Sequence, residues 1–209
     1  MTADAGVPAA LVGIWRRESV TLAGAEGLPV GPFETSDVLW FQARSRYADL
    51  RIPRRVAAVR TNPFVTAEAF GGRQRWRPPR LCFLHELDRC GTLADDEGEL
   101  AWEGDVLLEH GTFEFDGRRC TYLERWLRVT APDPATEVRE LRAADGTLTG
   151  LAVRVAGEEL LLGRHHGVVS AARRRVETQD SRPLACLGDM QELRALATTS
   201  WPCIESVLP

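Results

Sequence analysis

The sequence predicts an all-β protein, an antiparallel barrel or sandwich with one short helix near its C-terminus. Three observations carry this. β-prone runs recur at intervals of about 10 to 15 residues and are divided by turn chemistry. Only one segment has the caps and spacing of a helix. Strands and helices nowhere alternate as a parallel βαβ sheet would require.

The first run is Leu11–Leu22, ending at AGAEG and a Pro/Gly loop through Pro32. Val38–Arg44 and Tyr47–Ile52 follow, with Arg44–Arg46 as a tight connection. Next come Thr66–Phe70, Leu81–Leu87, Leu100–Glu103, Val106–Glu109 and Thr112–Phe115. The turn Asp116–Gly117 leads into Thr121–Val129. Glu137–Arg142 and Leu148–Val155 flank Asp145–Gly146, the strongest short hairpin signal. A second turn, Ala156–Gly157–Glu158, separates Val155 from Leu160, and Gly167–Glu177 continues the pattern. Asp189–Ala197 reads as the helix, with Asp189 as N-cap and Glu192 at its third position. Trp201–Leu208 reads as a closing strand.

The 209 residues are expected to form a single domain, 1–209. Leu11–Leu22 and Thr121–Val129 share an aromatic–Arg core, Ile14–Trp15–Arg16 and Arg125–Trp126–Leu127–Arg128. An internal duplication, with halves of about 11–110 and 111–209, and a chance likeness both account for it.

Charge and composition exclude several function classes. The net charge of −4 argues against a nucleic-acid partner. No apolar run is long enough to span a membrane, and MTADAGVPAA lacks the basic start of a secretory signal. All 26 basic residues are Arg, so no lysine Schiff base and no phosphate-loop lysine is available. Cys82, Cys90, Cys120, Cys186 and Cys203 are odd in number and form no CxxC pair; reduced thiols in the cytoplasm are the expectation. His85, His110, His165 and His166 form no metal spacing, so no metal and no cofactor is expected. GxSxG, GxGxxG, phosphate-loop and EF-hand patterns are absent. Arg173–Arg174–Arg175 reads as a solvated strand edge.

Face alternation locates the candidate site. In Val38–Ile52, Leu39, Phe41, Ala43, Ala48, Leu50 and Ile52 share one apolar face. The other carries Val38, Trp40, Gln42, Tyr47, Asp49 and Arg51. Either this second face is solvated, with Asp49 and Arg51 as an ordinary ion pair, or it lines a barrel lumen and holds a ligand. His85 alternates with Phe83 and Leu87, and Glu86 and Asp88 lie opposite; a core histidine and a proton-transfer group are both open readings. Tyr122, Glu124 and Trp126 share a strand face, where burial raises a carboxyl pKa towards general acid–base use. A nearby Arg51 or Arg128 makes Glu124 a structural ion pair instead. Glu109, ahead of Gly111, is a weaker member of this set.

The stretch DVLWFQARSRYADLRIP, followed by AFGG, LHELD, GELAWEGDVLLEHG and TYLERWLRV, resembles the motif order of the Hri-type family over Leu11 to Val129. The resemblance implies a calycin-like (lipocalin-like) antiparallel β-barrel and supplies no catalytic residues. Where relatives tend to place an aromatic beside the histidine, this chain has Leu84. With the strand count, the expectation becomes a barrel of about ten strands with one C-terminal helix.

Six tryptophans and a concentrated polar set point to a small, largely apolar organic ligand in the lumen. Glu124, His85, Tyr47 and Asp49 are the catalytic candidates, with Trp40, Gln42, Arg51, Tyr122 and Trp126 as substrate-binding residues. Cofactor-independent lyase, isomerase or cyclase chemistry is the leading expectation, with biosynthesis as its setting. A non-catalytic carrier is the alternative. The third is a haem-binding barrel with His85 or His165 as axial ligand.

Overall fold

The computed structural model describes residues 6–24, 30–54, 67–91, 95–176, 183–198 and 201–207. Large apolar side chains occupy both faces of Val38–Ile52, so both faces need cover. The fold covers one by curling the chain into a barrel and the other by packing a second sheet outside it.

Eight strands close the barrel in chain order, every neighbouring pair antiparallel. They are β1 (Gly13–Ala23), β2 (Ser36–Gln42), β3 (Arg46–Pro53), β4 (Glu68–Arg77), β5 (Arg80–Asp88), β6 (Asp96–Glu103), β7 (Val106–Phe115) and β8 (Arg118–Arg128). β9 (Thr136–Arg142), β10 (Leu148–Val155), β11 (Glu158–His165), β12 (Val168–Arg175), β13 (Ala185–Leu187) and β14 (Cys203–Val207) form the second sheet. Its order is β13-β12-β11-β10-β9-β14, and the helix α1 (Met190–Thr198) lies between its last two strands in sequence. The barrel therefore has eight strands where about ten were expected, the later ones being diverted into the separate sheet.

The two aromatic–Arg segments are neighbours that close the barrel, with Trp15 opposite Arg128 and Arg17 opposite Trp126. A division at 110/111 falls inside β7. The chain instead passes from barrel to second sheet between Arg128 and Thr136.

One apolar layer joins the two sheets. Ile14, Phe41, Leu50 and Leu87 on the outside of the barrel pack against Leu151, Val153, Leu160 and Leu162. On the far face of the second sheet, Leu193 of α1 and Trp201 cover Ala152, Leu161 and Ala172. Asp189 caps α1 as expected, its Oδ1 accepting the Gln191 N–H at 2.7 Å. The same sheet carries a charge ladder in which Glu159, fully buried, meets Arg139, Arg154 and Arg174. Arg173 pairs with Glu158, so two members of the arginine run are ion-paired rather than free.

Two glycine-containing stretches that read as strand ends are strand interiors. β4 runs on through Gly71 and Gly72 because neighbours occupy the space of their missing side chains. A Cβ on Gly72 would lie 2.2 Å from the Leu84 carbonyl oxygen, and one on Gly71 2.7 Å from Leu162 Cδ1. Val106–Glu109 and Thr112–Phe115 are one strand, since the Tyr122 ring covers Gly111. The short strand β13 had no clear sequence signal. Thr66, Glu177 and Leu208, expected strand ends, lie outside the described residues.

Gly72→Ala is expected to cost about 1–3 kcal/mol in urea unfolding, since a backbone carbonyl cannot yield to the new methyl. Leu162→Ala, which empties the layer between barrel and sheet, is expected to cost about 2–5 kcal/mol. Losses below about 0.5 kcal/mol would contradict this packing.

Candidate functional site

Alternation on β2 and β3 turns Trp40, Tyr47, Asp49 and Arg51 towards the barrel axis, where they meet side chains from β4 to β8. This face lines the barrel interior rather than solvent, and Asp49 and Arg51 are ion-paired within it. Trp15, Trp40 and Trp126 are its largest fully buried side chains. Their rings pack in contact: Trp15 to Trp40 at 6.1 Å, Trp40 to Trp126 at 5.6 Å and Tyr47 to Phe83 at 4.9 Å between centroids. Gln42 serves the β2–β3 turn. It accepts the Trp40 indole N–H at 3.0 Å and donates to the carbonyls of Ala43 and Arg46.

Two bulges decide which polar groups face inward. In β1 the register shifts between Arg17 and Ser19, so Trp15 and Arg17 face inward first and Val20 and Leu22 afterwards. In β5 Glu86 has no partner opposite it, because Gly71 pairs with Leu87 and Gly72 with His85. The strict alternation expected for Phe83, His85 and Leu87 is thereby broken. Leu87 joins the layer outside the barrel. His85 stacks on Phe70 at 4.4 Å and its Nδ1 lies 3.3 Å from Asp88 Oδ2, so His85 and Asp88 share a side instead of opposing each other. Burial works against ionisation of Asp88, but the His85 contact and the N–H groups of Gly91 and Cys90 hold its carboxyl below the usual range.

Tyr122, Glu124 and Trp126 share the inner face of β8, as the alternation required. The partner of Glu124 is neither Arg51 nor Arg128. Arg17 Nη1 donates to Glu124 Oε1 while its Nε donates to Glu34 Oε2 at 2.7 Å. Arg128 instead lies over the Trp15 ring at 4.2 Å and donates to the Val12 carbonyl at 2.6 Å. Arg51 Nε donates to Asp49 Oδ1 at 2.9 Å, and its Nη1 lies 3.7 Å from Glu68 Oε2.

Glu109 differs from these carboxylates. Its oxygens accept the Tyr122 hydroxyl at 3.2 Å and the Trp126 indole N–H at 3.1 Å, both neutral donors. Burial, with Glu124 and Asp96 nearby, pushes its carboxyl well above the usual 4.5. Burial also raises Asp49 despite Arg51, and raises Asp96. The phenols of Tyr47 and Tyr122 are pushed well up, first by burial and then by surrounding carboxylates. For Arg51, burial favours the neutral form but Asp49, Glu124 and Glu68 outweigh it and hold the guanidinium firmly charged.

The space left inside is small. A void lined by Tyr47, Asp49, Arg51, Asp96, Glu109 and neighbouring aromatics offers about 20 Å³ to the centre of a water molecule. That is room for roughly one water. The tryptophans expected to wall an apolar guest fill the lumen themselves. A larger space lies outside. Pairing of β6 with β7 ends at Glu99 opposite His110, and the strands part beyond. A groove of about 440 Å³ is lined from both sides of the parting, by Glu97 and Glu99 and by His110, Gly111 and Thr112, with Tyr122 of β8. Glycines adjoin the parting on both strands. The Glu109 side chain lies on Gly98, and the Tyr122 ring lies on Gly111. Tyr122 thus lines the groove, Glu109 lines the void, and one hydrogen bond joins them.

All nine candidates from the sequence are placed by the structure. Trp40, Tyr47, Asp49, Arg51 and Trp126 line the void; Tyr122 and Glu124 sit beside it; Gln42 serves the turn; the His85 ring lies tilted to Tyr47 at 6.2 Å. His165 meets His166 edge-on at the end of β11, in the second sheet. Arg17, Glu34 and Asp96 were missed. Arg17 shares its parity with Trp15, a usable signal; Asp96 sits in DDEGE, which has the composition of a solvated loop. Among the described residues no three His, Cys, Asp or Glu side chains are gathered to hold a metal ion, and no helix is long and apolar enough to cross a membrane. No family model, curated protein or solved structure matches the chain.

A carboxyl whose pKa is raised by folding binds a proton more tightly in the native state. Its contribution therefore falls as pH rises from its unfolded value to its folded one. Stability of the protein is expected to decline with pH above 4.5 through the Glu109 titration, and Glu109→Gln is expected to flatten that decline. An unchanged slope in the variant would contradict the assignment. Arg17→Met, which leaves Glu124 and Glu34 without their counter-ion, is expected to cost about 3–5 kcal/mol.

Proposed function

We propose that the chain binds a small polar molecule in the groove between β6 and β7 and exchanges protons with it through Tyr122 and Glu109. The supporting observation is the hydrogen bond from the Tyr122 hydroxyl to Glu109, which links a ligand-sized groove to a buried acid. Neutral Glu109 is the proton store. When a basic atom enters the groove, the Tyr122 hydroxyl turns from Glu109 to donate to it, and the Glu109 carboxyl donates to the phenol oxygen instead. The two protons shift together, which leaves the negative charge on Glu109 and none on the ring. Glu124, held by Arg17, stays beside it as a fixed negative charge that disfavours a second one on Glu109. This reading keeps the acid–base chemistry on a small molecule expected from the sequence, but makes that molecule polar where a largely apolar one was expected. It moves the leading residue from Glu124 to Glu109 and the ligand from lumen to groove.

The experiment is a fluorescence titration with a panel of small amines, carboxylates, alcohols and neutral carbonyl compounds, followed by mass spectrometry for deuterium taken up from heavy water. At least one class is expected to bind, with affinity reduced at least fivefold in Tyr122→Phe, about 1 kcal/mol for a lost hydrogen bond. Deuterium uptake is expected to vanish in Glu109→Gln while binding persists. Binding without uptake in the wild type would make the protein a carrier, and no binding at all would overturn the proposal.

A further inference from the structure

Around the lumen void the acidic groups outnumber their cations. Asp49 has Arg51, and Glu124 has Arg17. Glu109 has only the neutral donors Tyr122 and Trp126, and Asp96 accepts the backbone N–H of Glu97 at 2.8 Å. Among the described residues neither Glu109 nor Asp96 pairs with a cation. An independent observation points into the same space. Tyr47 lines the void, is fully buried, and its hydroxyl has no hydrogen-bond partner among the described residues. The rest of the lining is mainly aromatic: Trp40, Phe70, Phe83 and Trp126.

Two carboxyl groups without a paired cation, a free phenol oxygen and ring faces around a water-sized space form the recognition set for an ammonium group, with Glu109 giving up its proton, to the amine or to water, as the cation binds. Its N–H bonds are donated to the oxygens, and its charge is attracted by the π faces. We propose that the void is a seat for a primary ammonium group, so that the ligand class is small primary amines, with the ammonium ion as the smallest member. The inference rests on the reading of Glu109 and Tyr122 as the binding end. An amine's carbon chain would then occupy the groove while its head takes the place of the Tyr122 hydroxyl proton on Glu109 and donates to the Tyr122 oxygen as well. Arg51 does not oppose this strongly, because Asp49 and Glu68 already neutralise it. A quaternary ammonium exceeds the space and has no N–H to donate.

The test uses the full chain titrated with ammonium, methylammonium, sodium, potassium and tetramethylammonium chlorides at equal ionic strength, read by tryptophan fluorescence and melting temperature. Ammonium and methylammonium are expected to give a saturable change in the emission of the void-lining tryptophans and a rise in Tm, beyond the common salt effect. Glu109→Gln and Asp96→Asn are each expected to weaken this about tenfold or more, as for a lost charged hydrogen bond. Glu158→Gln, in the second sheet and outside both groove and void, is expected to leave it unchanged. Equal responses to sodium and ammonium, or variants that bind as the wild type does, would overturn the proposal. Should both variants fail to fold, nitrogen-15 ammonium spectra of the wild type decide. A resonance protected from bulk exchange supports the site, and its absence at saturating ammonium overturns it. If neutral or anionic molecules bind in a Tyr122-dependent way and ammonium does not, the groove reading stands and the amine assignment falls.

Discussion

Arg17 and Arg51 are the cations that the barrel interior sets against Glu34, Asp49, Glu68, Asp96, Glu109 and Glu124. Removing so many acids from water is costly, and each charge that remains needs a counter-ion or several donors. The two arginines serve four of the carboxylates. Glu109 is left with neutral donors, and protonation is the response of lowest cost in so buried a place. The bulge after Arg17 belongs to this arrangement. It sends Arg17 inward beside Trp15 and still lets Val20 and Leu22 continue on the inner face.

The barrel and the second sheet divide the work of burial. Strands β1 to β5 are apolar on their outer side as well as their inner one, and the inner face of β9 to β12 covers them. Among the described residues no such sheet covers the opposite wall, and there β6 and β7 part. Gly98 and Gly111 make room for Glu109 and Tyr122 at that place. The side of the barrel packed on the second sheet thus supports the site, which opens on the other side.

Much of this was legible in the chain. The alternation of Val38–Ile52 separated lumen residues from packing residues, and Tyr122, Glu124 and Trp126 share the face that their spacing requires. What escaped was set by partners distant in sequence. Leu87 leaves the side of His85 because a bulge inserts Glu86, and nothing local to HEL signals that insertion. Gly71, Gly72 and Gly111 read as breaks because their strands are held by Leu84, Leu162 and Tyr122 from other elements. Glu109 ranked below Glu124 because two aromatics, Tyr122 and Trp126, flank Glu124 on its strand face, whereas Glu109 stands ahead of Gly111. Only the fold reveals that one faces an arginine and the other a phenol and an indole.

The central claim is that Glu109 carries a proton in the native protein under conditions where an ordinary glutamate is ionised. Carbon-13 NMR of the glutamate side-chain carboxyls, followed across pH, measures this directly. One resonance is expected to keep its protonated shift well above the usual carboxylate range and to be missing from the spectrum of Glu109→Gln. A spectrum in which every glutamate titrates in the ordinary range, or in which the high-titrating resonance survives that substitution, would contradict the account.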